Sequence, residues 1–234
     1  MWGREPGARR GPRPGLSLGL VTEAAIAIAD AKGLAGLRMS DVAARLGVST
    51  MALYGYVATK EELLTAMVDA AVPDPPEPGT AHWRDYLTDW TRAHRDHLAG
   101  RPWLLDISPL TPPAGPRGLA WLDRALTVLM RSGLAADEAV NVATTLSAYA
   151  TSTAALLRGL QGSVEDEAAP GVAGYTATLD RFVDAENYPG LSEALRSEAF
   201  GQGDDWVEDA DFAFGLNLLF DGVEVLISRR KEQP

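Results

Sequence analysis

The segment Met39-Ser-Asp-Val-Ala-Ala-Arg-Leu-Gly-Val-Ser-Thr-Met-Ala-Leu-Tyr-Gly-Tyr-Val-Ala-Thr-Lys60 constrains the fold more than any other part of the chain, because it divides into two short helices about one glycine. Ser40 can cap the first helix, Val42, Ala43 and Leu46 supply its inner face, and Gly47 falls where the backbone needs a left-handed residue to turn. Val48 plugs the corner, Ser49 can cap the second helix, and Leu53 and Val57 face inward at helical spacing. Thr50, Met51, Ala52, Gly55 and Tyr56 are left on the outer side. The pattern predicts a helix-turn-helix, whose second helix has the dimensions to enter a DNA major groove.

A helix over about 18–32 precedes this unit, and Gly33 and Gly36 mark the loop that leaves it. A further helix follows the unit, opened by the capping-box pattern Thr59-Lys-Glu-Glu62 and carrying Leu63, Leu64, Met67 and Val68 on one side. Lys60 lies in its first turn, where a cation opposes the helix dipole at a cost of a few tenths of a kcal/mol unless an anion sits there. Backbone N–H groups, dipole and lysine together would clamp a phosphate. Val72-Pro-Asp-Pro-Pro-Glu-Pro-Gly79 cannot continue a helix and is read as a boundary between a first domain over 17–72 and a second over 80–231. Beyond it no strand-like alternation occurs. Helices are predicted over roughly 80–99, 101–107, 116–132, 136–158, 174–186, 190–200 and 204–231, so the fold class is all-α.

At 234 residues and 46% hydrophobic content the chain can bury a full core, and with no cysteine it uses neither disulfides nor thiol chemistry. The net charge of −11 is unevenly placed. Residues 1–60 hold eight Lys and Arg against four acids, a balance of +4 that leaves −15 on the other 174, so a basic end can approach phosphate while an acidic body stays away. Residues 1–16, rich in Gly, Pro and Arg, read as a disordered basic arm that can lie along DNA. Glu23 and Asp30 interrupt the apolar run after them, which excludes a secretory core, and no stretch approaches the ~20 apolar residues of a membrane span. The chain reads as soluble and cytoplasmic, without a membrane partner.

In the second domain, 136–158 is rich in small side chains that permit close helix approach, and 206–227 is apolar nearly all round, from Trp206 and Val207 to Leu226 and Ile227. A helix apolar on both flanks needs two partners, and a second copy of the chain supplies the outer one, giving a homodimer joined by two helices per subunit. Trp83, Tyr86, Leu87, Trp90 and His94 form an aromatic stripe; Trp103, Leu104 and Leu105 sit in a short proline-bounded helix, and Trp121, Leu122 and Leu126 on the next. With Asn141, Thr144, Thr145 and Tyr149 available to face them, and a proline-rich segment at 109–116 as an entrance, these residues are candidates to line a small-molecule cavity. His94 and His97 lack placed third and fourth ligands, so no metal is assigned. No phosphate loop, nucleophile elbow or His-Glu-x-x-His motif is present, and neither an enzyme activity nor a cofactor is expected.

The first helix, Ser40-Asp-Val-Ala-x-x-Leu-Gly-Val-Ser49, Leu53-Tyr54, Lys60 and Leu63-Leu64 together resemble the tetracycline-repressor (TetR) family of bacterial transcriptional regulators. The tryptophan helix, Arg101-Pro-Trp103 and the two long closing helices are similar, more loosely, to the ligand-binding domain of its tetracycline-repressor branch. The resemblance implies a homodimer on a palindromic double-stranded operator, released by a small-molecule effector that moves the fourth helix. It further implies that Arg38 and Ser40 touch phosphates or bases, that Thr50, Met51, Ala52 and Gly55, capped by Ser49, face base edges, and that Tyr54, Tyr56 and Lys60 hold phosphates. Val57 departs from the phenylalanine common there, and Gly55 removes a side chain that many relatives use. Few hydrogen-bonding groups remain on the reading face, which shifts specificity toward thymine methyls, the arm and DNA shape. Two other functions stay open on sequence alone: a binding protein that uses the pocket without DNA, and a transcriptional activator.

Overall fold

A computed structural model describes residues 16–107, 112–160, 172–197, 199–200 and 209–232. Most of the basic arm, residues 109–111 of the proline-rich entrance, and Trp206 and Val207 lie outside the described residues. Among those described there are helices and no strand. Two compact units divide at Ala71 and Val72.

The first unit contains α1 (Leu18–Lys32), α2 (Met39–Leu46), α3 (Thr50–Leu53) and α4 (Lys60–Ala71), with a short 3-10 turn at Leu34–Gly36. Ser17 starts α1 by accepting the Leu20 N–H (3.2 Å). Gly33, at φ 67°, ends it in a conformation that would strain any side chain. Val21, Ala25, Val42, Leu53, Leu63 and Met67 are sealed from solvent and form the small core on which α1 packs against α2 and α4. Small residues on α1 let the helices approach closely.

The second unit contains α5 (Trp83–Gly100), a 3-10 helix (Pro102–Asp106), α6 (Pro116–Arg131), α7 (Ala136–Leu160), α8 (Val172–Phe182), α9 (Pro189–Arg196) and α10 (Asp209–Glu232). Helix α5 starts three residues later than expected because His82 takes the N-cap, its Nδ1 accepting the Arg84 N–H (3.3 Å). Helices α8 and α9 end at Phe182 and Arg196, short of the expected limits. Helix α7 packs against α5, α6 and α10 through its small face, where Ala139, Ala143, Ala150 and Ala154 are buried. Glu138 joins its start to α10, accepting both the Ala135 N–H and Arg230 Nε (2.9 Å each).

At the other end of α10 a charged lock forms around a buried cation. Arg95 lies 4.2 Å from the Phe212 ring centroid and bonds Asp209 (2.9 Å) and Asp96 (2.7 Å). Farther along, Arg84 pairs with Asp221. Tyr149 stacks on Phe212, donates to its carbonyl (3.0 Å), and reaches so close to α10 that a Cβ at Gly215 would sit 2.3 Å from its hydroxyl. Glycine is there because α7 delivers a phenol to that point of the α10 backbone.

Candidate nucleic-acid interface and effector site

The reading unit follows from local chemistry. Gly47 adopts the left-handed conformation (φ 67°, ψ 33°), and the turn closes when the Val48 N–H donates to Ala43 (3.0 Å). Ser49 caps α3 through its hydroxyl, which accepts the Ala52 N–H (3.2 Å). Ser40 does not cap α2 as expected: the helix begins one residue before it, Arg38 supplies the capping carbonyl, and the Ser40 hydroxyl turns to Asp41 (3.4 Å). The second helix is also shorter than its periodicity suggested. It holds four residues and continues through Tyr54–Tyr56 as tight turns, with Tyr56 N–H on Leu53 (2.8 Å) and Val57 N–H on Leu53 (3.1 Å). Gly55 lies within these turns, and Leu53 and Val57 are both buried.

This shape leaves the outer side bare. Met51 is 80% exposed, Tyr54 46% and Tyr56 42%, and Arg38, Ser40, Ser49, Ala52 and Gly55 are exposed beside them, with Thr50 half-buried. Three large apolar or amphipathic side chains left in water on one turn mark a contact surface rather than a core. The start of α4 is capped as the sequence pattern required, in a form shifted by one residue: Thr59 Oγ1 accepts the Glu62 N–H (3.1 Å) and Glu62 reaches back to the Ala58 N–H (2.6 Å). Lys60 is exposed in the first turn of α4.

The aromatic stripe of the second unit splits into two places. Trp83 packs edge-on against Phe220 (5.5 Å) at the start of α5, beside an open cleft of about 410 Å³ lined by residues 78–83 with Val128, Arg131, Ser132, Glu224, Ile227 and Lys231. Two turns on, Trp90, His94 and Trp121 form a separate cluster: Trp90 is 5.8 Å from His94 and 5.7 Å from Trp121, and His94 is 6.1 Å from Trp121. Trp90 Nε1–H donates to the Trp121 carbonyl (3.1 Å). Tyr86 and Leu87 are buried in the surrounding core, and Leu122 packs at its edge. Burial pushes the Tyr86 phenol up to about 12, so it serves as a donor, here to the Pro76 carbonyl (3.0 Å).

His94 Nδ1 is sealed from solvent and has no hydrogen-bond partner, and the same is true of His97 Nε2. Burial, with the neighbouring His97 adding to it, holds His94 down at about 4; burial and Arg101 do the same for His97. Both rings are neutral at ordinary pH, and an unpaired buried nitrogen among aromatic faces is the kind of group that a ligand hydroxyl or carbonyl-bearing ring would satisfy. Among the described residues no three His, Asp or Glu side chains come together to hold a metal.

The other expected lining residues do not gather at this cluster. Asn141 and Thr145 are exposed on α7, on a side shared with Val140 and Thr144, and the Thr145 hydroxyl is spent on the Asn141 carbonyl (2.9 Å). Tyr149 is engaged with Phe212. Trp103 and Leu104 are buried and Leu105 half-buried on the 3-10 helix, which Arg158 ties to α7 through Pro102 (3.0 Å) and Asp106 (2.7 Å). Sequence reasoning missed Arg117 and Arg124, whose placement with Trp121 at i, i+4 and i+7 on α6 was the available signal.

Among the described residues no helix is long and apolar enough to cross a membrane. Residues 21–67 match the profile of the bacterial regulatory proteins of the tetR family, and residues 75–227 that of the tetracyclin repressor-like C-terminal domain. The chain is 34% identical to the HTH-type transcriptional repressor DrrR1 of Streptomyces coeruleorubidus, over 99% of this chain and 86% of that protein. It is 30% identical to the tetracycline repressor protein class A from transposon 1721 of Escherichia coli, over 92% of this chain and 94% of that one. Its structure is similar to that of the Streptomyces coelicolor TetR family protein ActR in complex with actinorhodin, with a TM-score of 0.73, 25% identity, and 90% and 96% of the two chains covered. The chain belongs to the TetR family of DNA-binding transcriptional regulators, with a tetracycline repressor-like C-terminal domain, and is not an enzyme.

Proposed function

We propose that the protein is a homodimeric repressor that leaves a palindromic operator when a bulky, partly aromatic effector enters its C-terminal unit. The observation that carries this reading is the sealed, unpartnered His94 Nδ1 between Trp90 and Trp121, in a chain whose N-terminal unit displays an unburied reading face. Thr50, Met51, Ala52 and Gly55 meet base edges, mostly through thymine methyls and groove shape, since they offer one hydroxyl among them. Arg38, Ser40, Tyr54, Tyr56 and Lys60 hold phosphates, Lys60 with the dipole of α4 behind it.

The dimer forms through α7 and α10. Helix α10 buries Phe212, Leu216, Phe220, Val223 and Ile227 in its own subunit while Phe214 (68%), Leu218 (60%) and Val225 remain exposed on a second stripe. That stripe, with Val140 and Leu156 of α7, supplies a self-complementary apolar face, and two copies then present reading heads roughly 34 Å apart. The effector class is a bulky, partly aromatic compound with a hydroxyl or carbonyl group to meet the His94 nitrogen, and the similar protein ActR is known in complex with actinorhodin.

Fluorescence anisotropy with duplex DNA from upstream of the protein's own gene tests this. Wild-type binding is expected to weaken steeply with salt, and Lys60→Ala to lower the log–log slope by about 0.9 per half-site. An unchanged slope would show that α4 does not meet phosphate. A polycyclic probe that binds the C-terminal unit and leaves DNA affinity unchanged would reject the switch.

A further inference from the structure

The proline segment that follows α4 is not a loose spacer. Prolines at 73, 75, 76 and 78 remove four backbone donors, so the segment cannot hydrogen-bond to itself and its carbonyls need donors from elsewhere. Side chains of the second unit provide them. Arg117 Nη1 donates to the Val72 carbonyl (2.9 Å), Trp121 Nε1 to Pro73 (2.6 Å) and Tyr86 Oη to Pro76 (3.0 Å), while Arg124 pairs with Glu77 (2.9 Å). Arg117, Trp121 and Arg124 lie on one face of α6 over a rise of about 10 Å, so the segment is strapped along that helix. Its first two residues directly continue α4, which ends at Ala71.

Trp121 has two duties. Its indole N–H holds Pro73, and the same ring forms a wall of the cluster with Trp90 and the unpartnered His94. A ring seated on that wall, hydrogen-bonded to His94, cannot be accommodated without shifting the indole, because a protein interior moves between discrete packings. Building on the effector site proposed above, we infer that Trp121 couples it to the reading unit: an occupant displaces the indole, opens the Trp121–Pro73 hydrogen bond and frees the segment through which the chain continues from α4.

The test uses full-length protein, the operator duplex and actinorhodin as probe, with Trp121→Phe keeping an aromatic wall but deleting the N–H. With each protein brought to its own saturation, the factor by which actinorhodin weakens DNA binding is expected to fall about five- to tenfold in Trp121→Phe, the worth of one net hydrogen bond. In wild-type protein the indole N–H resonance of Trp121, assigned by its loss in the variant, is expected to leave its hydrogen-bonded position on saturation. His94→Trp supplies a built-in occupant that needs no probe. It is expected to weaken operator binding in the wild-type background and to have several-fold less effect with Trp121→Phe. Equal effects in the two backgrounds, an undiminished coupling factor, or an indole resonance that stays hydrogen-bonded while DNA affinity falls would overturn the coupling role yet leave the effector site standing. DNA affinity unmoved in wild type by both actinorhodin and His94→Trp would instead sink the effector reading, and this inference with it.

Discussion

Replacing His94 by leucine changes how stability depends on pH, and the size of the change follows from the site. The folded ring titrates at about 4 against an ordinary 6.5, because burial, and then the neighbouring His97, penalise its charged form. Above pH 6.5 the ring is neutral in both folded and unfolded chains and its titration contributes nothing. As the pH falls from 6.5 toward 4 the unfolded chain takes up a proton that the folded one refuses, so stability drains across that window and the loss levels off below it. Between about pH 7.5 and pH 5 His94 alone should remove about 2 kcal/mol. Urea unfolding at both pH values and fixed protomer concentration isolates this, since His97 and all carboxylates are common to both proteins and subtract out. Wild type should lose about 2 kcal/mol more than His94→Leu. At pH 7.5 the variant should be at least as stable, because an unpaired buried nitrogen costing about 1–3 kcal/mol has gone. Equal losses in the two proteins, within about 0.5 kcal/mol, would mean that the folded ring accepts a proton freely and would refute its sealed placement.

Gly215→Ala should destabilise the protein by about 1–3 kcal/mol despite alanine's better helix propensity, because its Cβ meets the Tyr149 hydroxyl at 2.3 Å and the ring carbon behind it at 2.9 Å. Thermal melts should show partial rescue by Tyr149→Leu, and an unchanged melting temperature in Gly215→Ala alone would put Tyr149 elsewhere. Leu218→Glu, on the exposed stripe of α10, should shift sedimentation from dimer to monomer and abolish operator binding at nanomolar protein; a variant that stays dimeric would remove α10 from the interface.

The all-helical order was legible because each helix carries its own record. The apolar spacing of Val21, Ala25 and Ile28 and the glycines at 33 and 47 act within a turn or two of themselves, so α1 and the corner between α2 and α3 follow from neighbours in the chain. The reading face was legible for the same reason: once Leu53 and Val57 point inward, Met51, Tyr54 and Tyr56 must point outward. Even there, the N-cap of α2 falls at Arg38, two residues before the expected Ser40, with no side chain capping it, because helix ends are set by backbone geometry that a capping residue only biases.

Tertiary structure alone decided which aromatics meet. Trp83 and Trp90 share a helical stripe, yet one faces Phe220 and the other Trp121, partners 137 and 31 residues away, because packing angles between helices rather than periodicity choose them. Asn141 and Thr145 were drawn toward the cavity by polarity, and the rotation of α7 turns them to its exposed side. The strap is the clearest case. A run of prolines announces in sequence only that no helix continues, while the donors that hold its carbonyls stand on α5 and α6, and those side chains arrive there only when the second unit has packed.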